Sequence, residues 1–439
     1  MMRRAVPTLA AMALVGGSLA IGLLAPAAAL GFSGFGAESA SATYGKQITF
    51  TVELPTGAPD RLEVLLQVGL DTDATVVAPV EATGVTARYT LDTAADYLTP
   101  NTPITYRWRA TVGSEVTLSR EATFRYADNR PGLDWKAANI GHATVHWYGG
   151  AESQARRFGD LSTGATSRAE AMLGHTLDGP IDIFVYKSRD EFFGALGPGA
   201  REWTGAATYP DIRTVFMWLG GGPGDYLDTA LAHEVTHVVF FDATRNPYHS
   251  PASWLNEGFA VWSEHQNASD QAAVVRSEAS SGLFSFSAIT GQFPIGERGS
   301  SLSYAQGTTM VARIIDTYGS AAMARITAAY RAGATDAEAL KAGTGISADQ
   351  LYADYFRSFG AAEPKPVAAA SIGPSIVHTG TNTGAVGSGA PAPDGASRAN
   401  GTTGRWVVAA LAALVVVLAA IVAGAWIWRR RRSGEPGSP

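Results

Sequence analysis

Two histidines, His233 and His237, stand four positions apart inside a stretch that reads as a buried helix from about Asp225 onward. Leu231, Val235, Val238, Val239, Phe240 and Phe241 cover most of its circumference, and a helix that is apolar on every side belongs in a core. Four residues make about one turn, so both imidazoles project to the same side. Two neutral imidazoles on one face supply half of a tetrahedral zinc site. Glu234 adjoins the first histidine, where a carboxylate can reach a water at the metal without being a ligand itself. After 19 further residues comes Glu257, within Trp254-Leu255-Asn256-Glu257-Gly258-Phe259-Ala260. Ser250 reads as an N-cap with Pro251 at the first helical position, which puts Glu257 on a second helix. The expectation is one Zn2+ per chain, held by His233, His237 and Glu257, with a fourth position open.

Net charge is −6 over 439 residues, and there is no cysteine. Disulfides, thiolate metal sites and cysteine nucleophiles are thereby excluded. No basic stripe suited to nucleic acid is present, because the dense arginine run is confined to Arg429–Arg432. That run follows an apolar segment edged by Trp406, Trp426 and Trp428, the pattern of one transmembrane helix with a cytoplasmic tail. Arg3 and Arg4, an apolar stretch and Ala27-Ala28-Ala29 read as a signal peptide. Localisation is expected at the cell membrane, single-pass, with the N-terminal ectodomain outside. The sequence is silent on oligomeric state.

Between these addresses the chain changes character twice. From residue 30 to 128, short runs alternate apolar and polar residues, such as Ile48, Phe50, Val52 and Leu54, then Ile104, Tyr106, Trp108 and Ala110. Other runs are Leu62 to Val68, Val85 to Leu91 and Ala122 to Tyr126. Half-buried strands of this kind suit an all-β sandwich resembling immunoglobulin or fibronectin modules. Asp128-Asn129-Arg130-Pro131-Gly132 marks a boundary. Strands are expected at Thr144 to Tyr148, Ile181 to Tyr186 and Thr214 to Trp218, with capping boxes at Ser188 and Ser347. After Ser303 the chain turns helical to about Gly360. Residues 129–361 therefore read as an α+β domain with a cleft between a mixed lobe and a helical one. Residues 362–404, rich in Gly, Pro, Ala, Ser and Thr, read as a disordered stalk. The span is 405–428 and the tail 429–439.

Over residues 135 to 360 the chain resembles the gluzincin metallopeptidases, in particular the aminopeptidase-N-like branch and its peptidase-MA-like relatives. The resemblance rests on His233 to His237, on Trp254 to Ala260 and on Glu264. Ser303-Tyr304-Ala305-Gln306-Gly307 adds to it, with Gln in place of the family's Lys. It implies a thermolysin-like fold, zinc, Glu234 as general base, and Tyr304 at a helix start as donor to the tetrahedral oxyanion. Glu264 lies two helical turns beyond Glu257 and is expected to contact a ligating histidine. One departure matters. Aminopeptidases of this branch hold the substrate amine with the Glu of a Gly-x-Met-Glu-Asn strand, and the nearest segment here, Thr204-Gly205-Ala206-Ala207-Thr208, has no acidic residue. Such a strand still pairs with an extended peptide through its backbone. The resulting expectation is a membrane-anchored extracellular zinc peptidase acting on peptides or proteins, more endopeptidase than aminopeptidase. The alternative is a catalytically silent surface binding or adhesion protein with a zinc site.

Overall fold

The computed structural model describes residues 32–364, apart from 71–74, 150–151, 198–204, 223, 249, 266–267 and 295. The expected signal peptide, membrane span and tail, and the stalk beyond residue 364, lie outside the described residues. Among those described, no helix is long and apolar enough to cross a membrane.

The first part of the chain is all β. Its strands are β1 (Glu38–Thr43), β2 (Gln47–Glu53), β3 (Arg61–Val68), β4 (Val76–Pro79), β5 (Ala82–Thr83), β6 (Thr86–Asp92), β7 (Pro103–Val112), β8 (Glu115–Leu118) and β9 (Ala122–Arg125). One sheet runs β1-β2-β6-β5; the other runs β4-β3-β7-β8, with β9 also paired to β7. Every pairing is antiparallel. Ile48, Phe50 and Val52 of one sheet share a core with Leu62, Val64, Leu66, Ile104 and Trp108 of the other, as the period-two alternation requires. Val85 is the exception: it is 61 % exposed, in the turn that Gly84 makes at φ +64°, and β6 begins one residue later.

The second part is α+β. It contains β10 (Lys136–Ile140), β11 (Ala143–Trp147), α1 (Glu152–Leu173), β12 (Ile181–Tyr186), α2 (Arg189–Leu196), β13 (Ala206–Tyr209), β14 (Thr214–Trp218) and α3 (Gly224–Thr244). Six helices follow: α4 (Ser253–His265), α5 (Ser269–Glu278), α6 (Glu297–Tyr318), α7 (Ala321–Arg331), α8 (Asp336–Thr344) and α9 (Ala348–Ser358). The sheet order is β10-β11-β12-β14-β13. Strands β11, β12 and β14 are parallel, and β13 lies antiparallel at the edge. Val235, Val238 and Val239 of α3 join Ile183 and Val215 of the sheet and Leu255 and Phe259 of α4 in one large core. The apolar circumference of α3 is thus buried on both sides.

Three local expectations are corrected. Helix α4 starts at Ser253, not at Pro251, because its first donors are satisfied from other segments: Ala252 N–H by Asp336 Oδ1 (3.2 Å) and Ser253 N–H by the Thr290 carbonyl (2.7 Å). Helix α6 starts at Glu297, so Tyr304 stands two turns inside it rather than at its start. Ser188 and Ser347 do cap α2 and α9, but Glu191 turns to the Tyr148 hydroxyl and Gln350 to Asp354. The reciprocal capping box is at Thr335 and Glu338.

Asp128 and Arg130, at the boundary, are tied to both parts of the chain. The buried Asp128 carboxylate accepts from Arg130 Nη2 (2.5 Å) and the Tyr186 hydroxyl (3.0 Å), and its carbonyl accepts from Trp135 Nε1 (2.9 Å). Arg130 also stacks over Tyr44 and donates to the Glu191 carbonyl. Asn101 Nδ2 reaches Asp182 (3.0 Å) and Thr214 (2.8 Å) on the second sheet.

Candidate active site

Helices α3 and α4 bring three donor atoms together. His233 Nε2 and His237 Nε2 are 3.0 Å apart, and Glu257 Oε2 lies 3.5 Å from each. All three side chains are buried, and their donor atoms form a metal-competent group. Bonds of about 2.0–2.1 Å in a tetrahedron separate neighbouring ligand atoms by about 3.3 Å. The observed triangle brackets that spacing, so the residues fit one Zn2+. Glu257 Oε2 is buried and has no hydrogen-bond partner among the described residues, as suits an atom reserved for a cation.

The rings are oriented from behind. His233 Nδ1 lies 2.8 Å from Glu264 Oε1, two turns along α4 from Glu257. His237 Nδ1 lies 3.0 Å from Asn256 Oδ1. Both Nδ1 atoms face acceptors and therefore carry the proton, which leaves both Nε2 lone pairs pointing at the site. Asn256 was not singled out from the sequence, although it immediately precedes Glu257 and lies on the same helix; its position in the Trp254 to Ala260 motif was the available signal.

The electrostatics follow from this packing. Burial opposes the positive charge on His233, yet the Glu257 and Glu264 carboxylates beside it outweigh that and raise its pKa to about 10 in the metal-free protein. Burial also opposes the Glu257 charge, but His237 and His233 bring its pKa down to about 2. A site that holds an anion and stabilises a cation between two rings is suited to a divalent metal.

Two glycines fix how α4 and α6 meet. A Cβ on Gly258 would come within 2.3 Å of the Gly307 carbonyl carbon, and one on Gly307 within 2.4 Å of the Trp254 carbonyl oxygen. The helices cross backbone to backbone beside Glu257. Across this crossing Tyr304 packs with Val261, one turn beyond Glu257 on α4, and meets Phe293 edge-on at 5.1 Å. Its ring is therefore fixed against the metal-ligand helix. Glu234 is 1 % exposed and accepts a hydrogen bond at 2.5 Å from Thr208 of β13. Burial, then the charges of Glu234 and Glu264, push the Tyr226 hydroxyl well above its usual range. Two of the histidines without a ligand motif have ordinary partners: His146 pairs with Asp182 and His175 with Asp242.

Residues 162–359, from within α1 to the end of the helical lobe, match the Peptidase MA superfamily model. A comparison with curated protein sequences returns no match. Among solved structures, the chain is similar to an M1 zinc metallopeptidase from Deinococcus radiodurans, at 14 % identity over 73 % of this chain and 90 % of that one (TM-score 0.33). It is also similar to an aminopeptidase N family protein from Idiomarina loihiensis, at 9 % identity over 73 % and 70 % of the two chains (TM-score 0.27). A shorter likeness, to BhCBM56, covers 20 % of this chain and 88 % of that one at 11 % identity (TM-score 0.17). With the family match falling on the domain that buries His233, His237 and Glu257 around one point, the chain carries a Peptidase MA superfamily domain and is a zinc metallopeptidase of the gluzincin type.

Proposed function

We propose that this metallopeptidase is tethered to the outer face of a membrane and cuts within polypeptide chains rather than removing N-terminal residues. The observation that carries the endopeptidase reading is β13. This strand ends the sheet, and its four residues, Ala206-Ala207-Thr208-Tyr209, offer no carboxylate to hold a substrate amine. An extended substrate pairing with the strand would be held by backbone hydrogen bonds, which do not depend on a free terminus. The tether rests on the two apolar terminal segments and Arg429–Arg432.

His233, His237 and Glu257 would hold the Zn2+, which would supply a Lewis acid able to bring the pKa of water near 7 and to polarise a carbonyl. Glu234 accepts the proton of the attacking water and returns it to the leaving amine. Tyr304 donates its hydroxyl to the oxyanion, a contribution of about 3 kcal/mol where such donors have been removed. Glu264 and Asn256 keep the two imidazoles in the ligating tautomer.

The test uses the full chain in washed membranes and after detergent extraction, with peptides that are free or acetylated at the N-terminus. Internal cleavage of both sets, lost with chelator and in Glu234→Gln, is expected. Cleavage of only the free-amine peptides, one residue at a time, would overturn the endopeptidase reading. Recovery of the protein in the soluble fraction would overturn the tether.

A further inference from the structure

We propose that Thr208 is the positioning residue that aims the Glu234 carboxylate; this rests on Glu234 acting as the base. Thr208 is 1 % exposed on β13, the edge strand beside α3. Its hydroxyl lies 2.5 Å from Glu234 Oε2 and 3.1 Å from the Glu234 carbonyl. A hydroxyl has one proton to give, and the carboxylate is both the nearer and the stronger acceptor. The Glu234 carboxylate has no other hydrogen-bond partner among the described residues. Thr208 is thus its one polar restraint there.

The restraint matters because of what surrounds it. Glu234 adjoins a metal ligand in sequence, and a glutamate side chain has enough rotatable bonds to swing toward the cation instead of the water. Holding Oε2 from the strand leaves Oε1 as the atom that takes the proton. The donor is itself stiff. Threonine is β-branched, with restricted χ1, and its strand is in register with β14 (Thr208 opposite Val215). Strand and helix are packed together by Ala206 and Val235, which share the main core. The same residue that withholds a carboxylate from a substrate amine therefore serves the base. A displacement of about 1 Å at a reacting group costs on the order of 100-fold in rate.

Thr208→Val keeps the shape and removes the donor; Thr208→Ser keeps the donor and removes a methyl. With an internally cleaved peptide, Thr208→Val is expected to lower kcat by about 10- to 100-fold with KM within about twofold. Thr208→Ser is expected to recover most of that loss. Zinc content is expected to stay at one per chain in both. A second readout needs no turnover: thermal unfolding of the metal-free Thr208→Val, Glu234→Ala and double variants. The Tm loss of Thr208→Val should largely vanish in the Glu234→Ala background. Wild-type kcat in Thr208→Val, a Thr208→Ser variant as slow as Thr208→Val, or additive Tm losses would each overturn the proposal. Failure of the base assignment shows separately, as undiminished activity in Glu234→Gln.

Discussion

Replacing Gly258 by alanine tests whether the crossing of α4 and α6 sets the geometry of the metal site. The added Cβ would stand 2.3 Å from the Gly307 carbonyl carbon, 2.4 Å from its oxygen and 2.8 Å from Thr308 N, all of them backbone atoms. Ordinary contact begins near 3.4 Å, so the helices must separate by about 1 Å, since backbone has no rotamer to turn away. Overpacking of this kind costs about 1–3 kcal/mol. In a domain of this size that lowers Tm by about 2–4 °C per kcal/mol, or roughly 2–12 °C in all. The site should feel it too, because Glu257 adjoins Gly258 and its Oε2 is 3.5 Å from both Nε2 atoms. A shift of that size should weaken zinc binding by about 10-fold or more, the scale seen when a ligand loses its support. Differential scanning calorimetry reads the first effect and titration against a chromogenic chelator the second. A Gly258→Ala protein with wild-type Tm and wild-type zinc affinity would refute the reasoning. Gly307→Ala, which strikes the Trp254 carbonyl oxygen at 2.4 Å, should behave alike, and combining the two should rescue nothing.

Three further outcomes are expected. Zinc affinity should rise with pH: the His233 pKa is raised from 6.5 to about 10 in the metal-free fold, so a proton must leave before the metal binds. Apparent affinity should then increase about 10-fold per pH unit below that value, and a flat chelator competition between pH 6.5 and 8.5 would contradict it. The same shift means that the protonated ring stabilises the metal-free fold fully below pH 6.5 and that this contribution is lost as pH rises through about 10. Glu264→Ala and Asn256→Ala should each lower zinc affinity by about 10- to 100-fold, measured by the same competition, while wild-type affinity in either would remove that residue from the site's support. Arg130→Ala leaves the buried Asp128 carboxylate without its guanidinium, an uncompensated charge worth about 3–5 kcal/mol. Chemical denaturation should show that loss, and a change under 1 kcal/mol would mean that the junction is not held by this pair.

What the sequence disclosed and what it withheld divide along physical lines. Strands with large inward residues were legible: Ile48, Phe50 and Val52, or Ile104, Tyr106 and Trp108, alternate too strongly to be anything else. Strand β1 was not, because its inward positions are Ala40 and Ala42 among serines and threonines, and small residues give a weak period. Helix α1 was missed for a related reason. It is long, but between Phe158 and Leu173 it faces the core through Gly159, Ser162, Ala165, Thr166 and Ala169, and close helix packing uses small residues that a hydrophobic pattern does not reveal. Its Gly159 lies against Ile140 of β10, where a Cβ would come within 2.6 Å. The start of α4 depended on Asp336 and Thr290, far away in sequence.

The site shows the same division more sharply. The ligands were legible because metal chemistry fixes both residue type and helical spacing. Their supports were legible only where they share a helix with a ligand, as Glu264 does with Glu257. Thr208 comes from a strand 26 residues away, and nothing in a buried Ala-Ala-Thr-Tyr run announces a hydroxyl aimed at a carboxylate. Yet these supports decide what the ligands can do. With both Nδ1 protons committed to Glu264 and Asn256, the Nε2 atoms face each other at 3.0 Å with Glu257 beside them. Three lone pairs directed at one point repel unless a positive charge lies between them. Against burial, the Glu257 and Glu264 carboxylates favour a proton on His233 in the metal-free protein and raise its pKa, while His237 and then His233 lower that of Glu257. His233, His237 and Glu257 would then receive Zn2+ in place of a proton, in a cage that this chain's own side chains have already formed. Chelation should accordingly abolish activity while leaving a folded protein, and far-ultraviolet circular dichroism that collapsed on zinc removal would show this account of the site to be wrong.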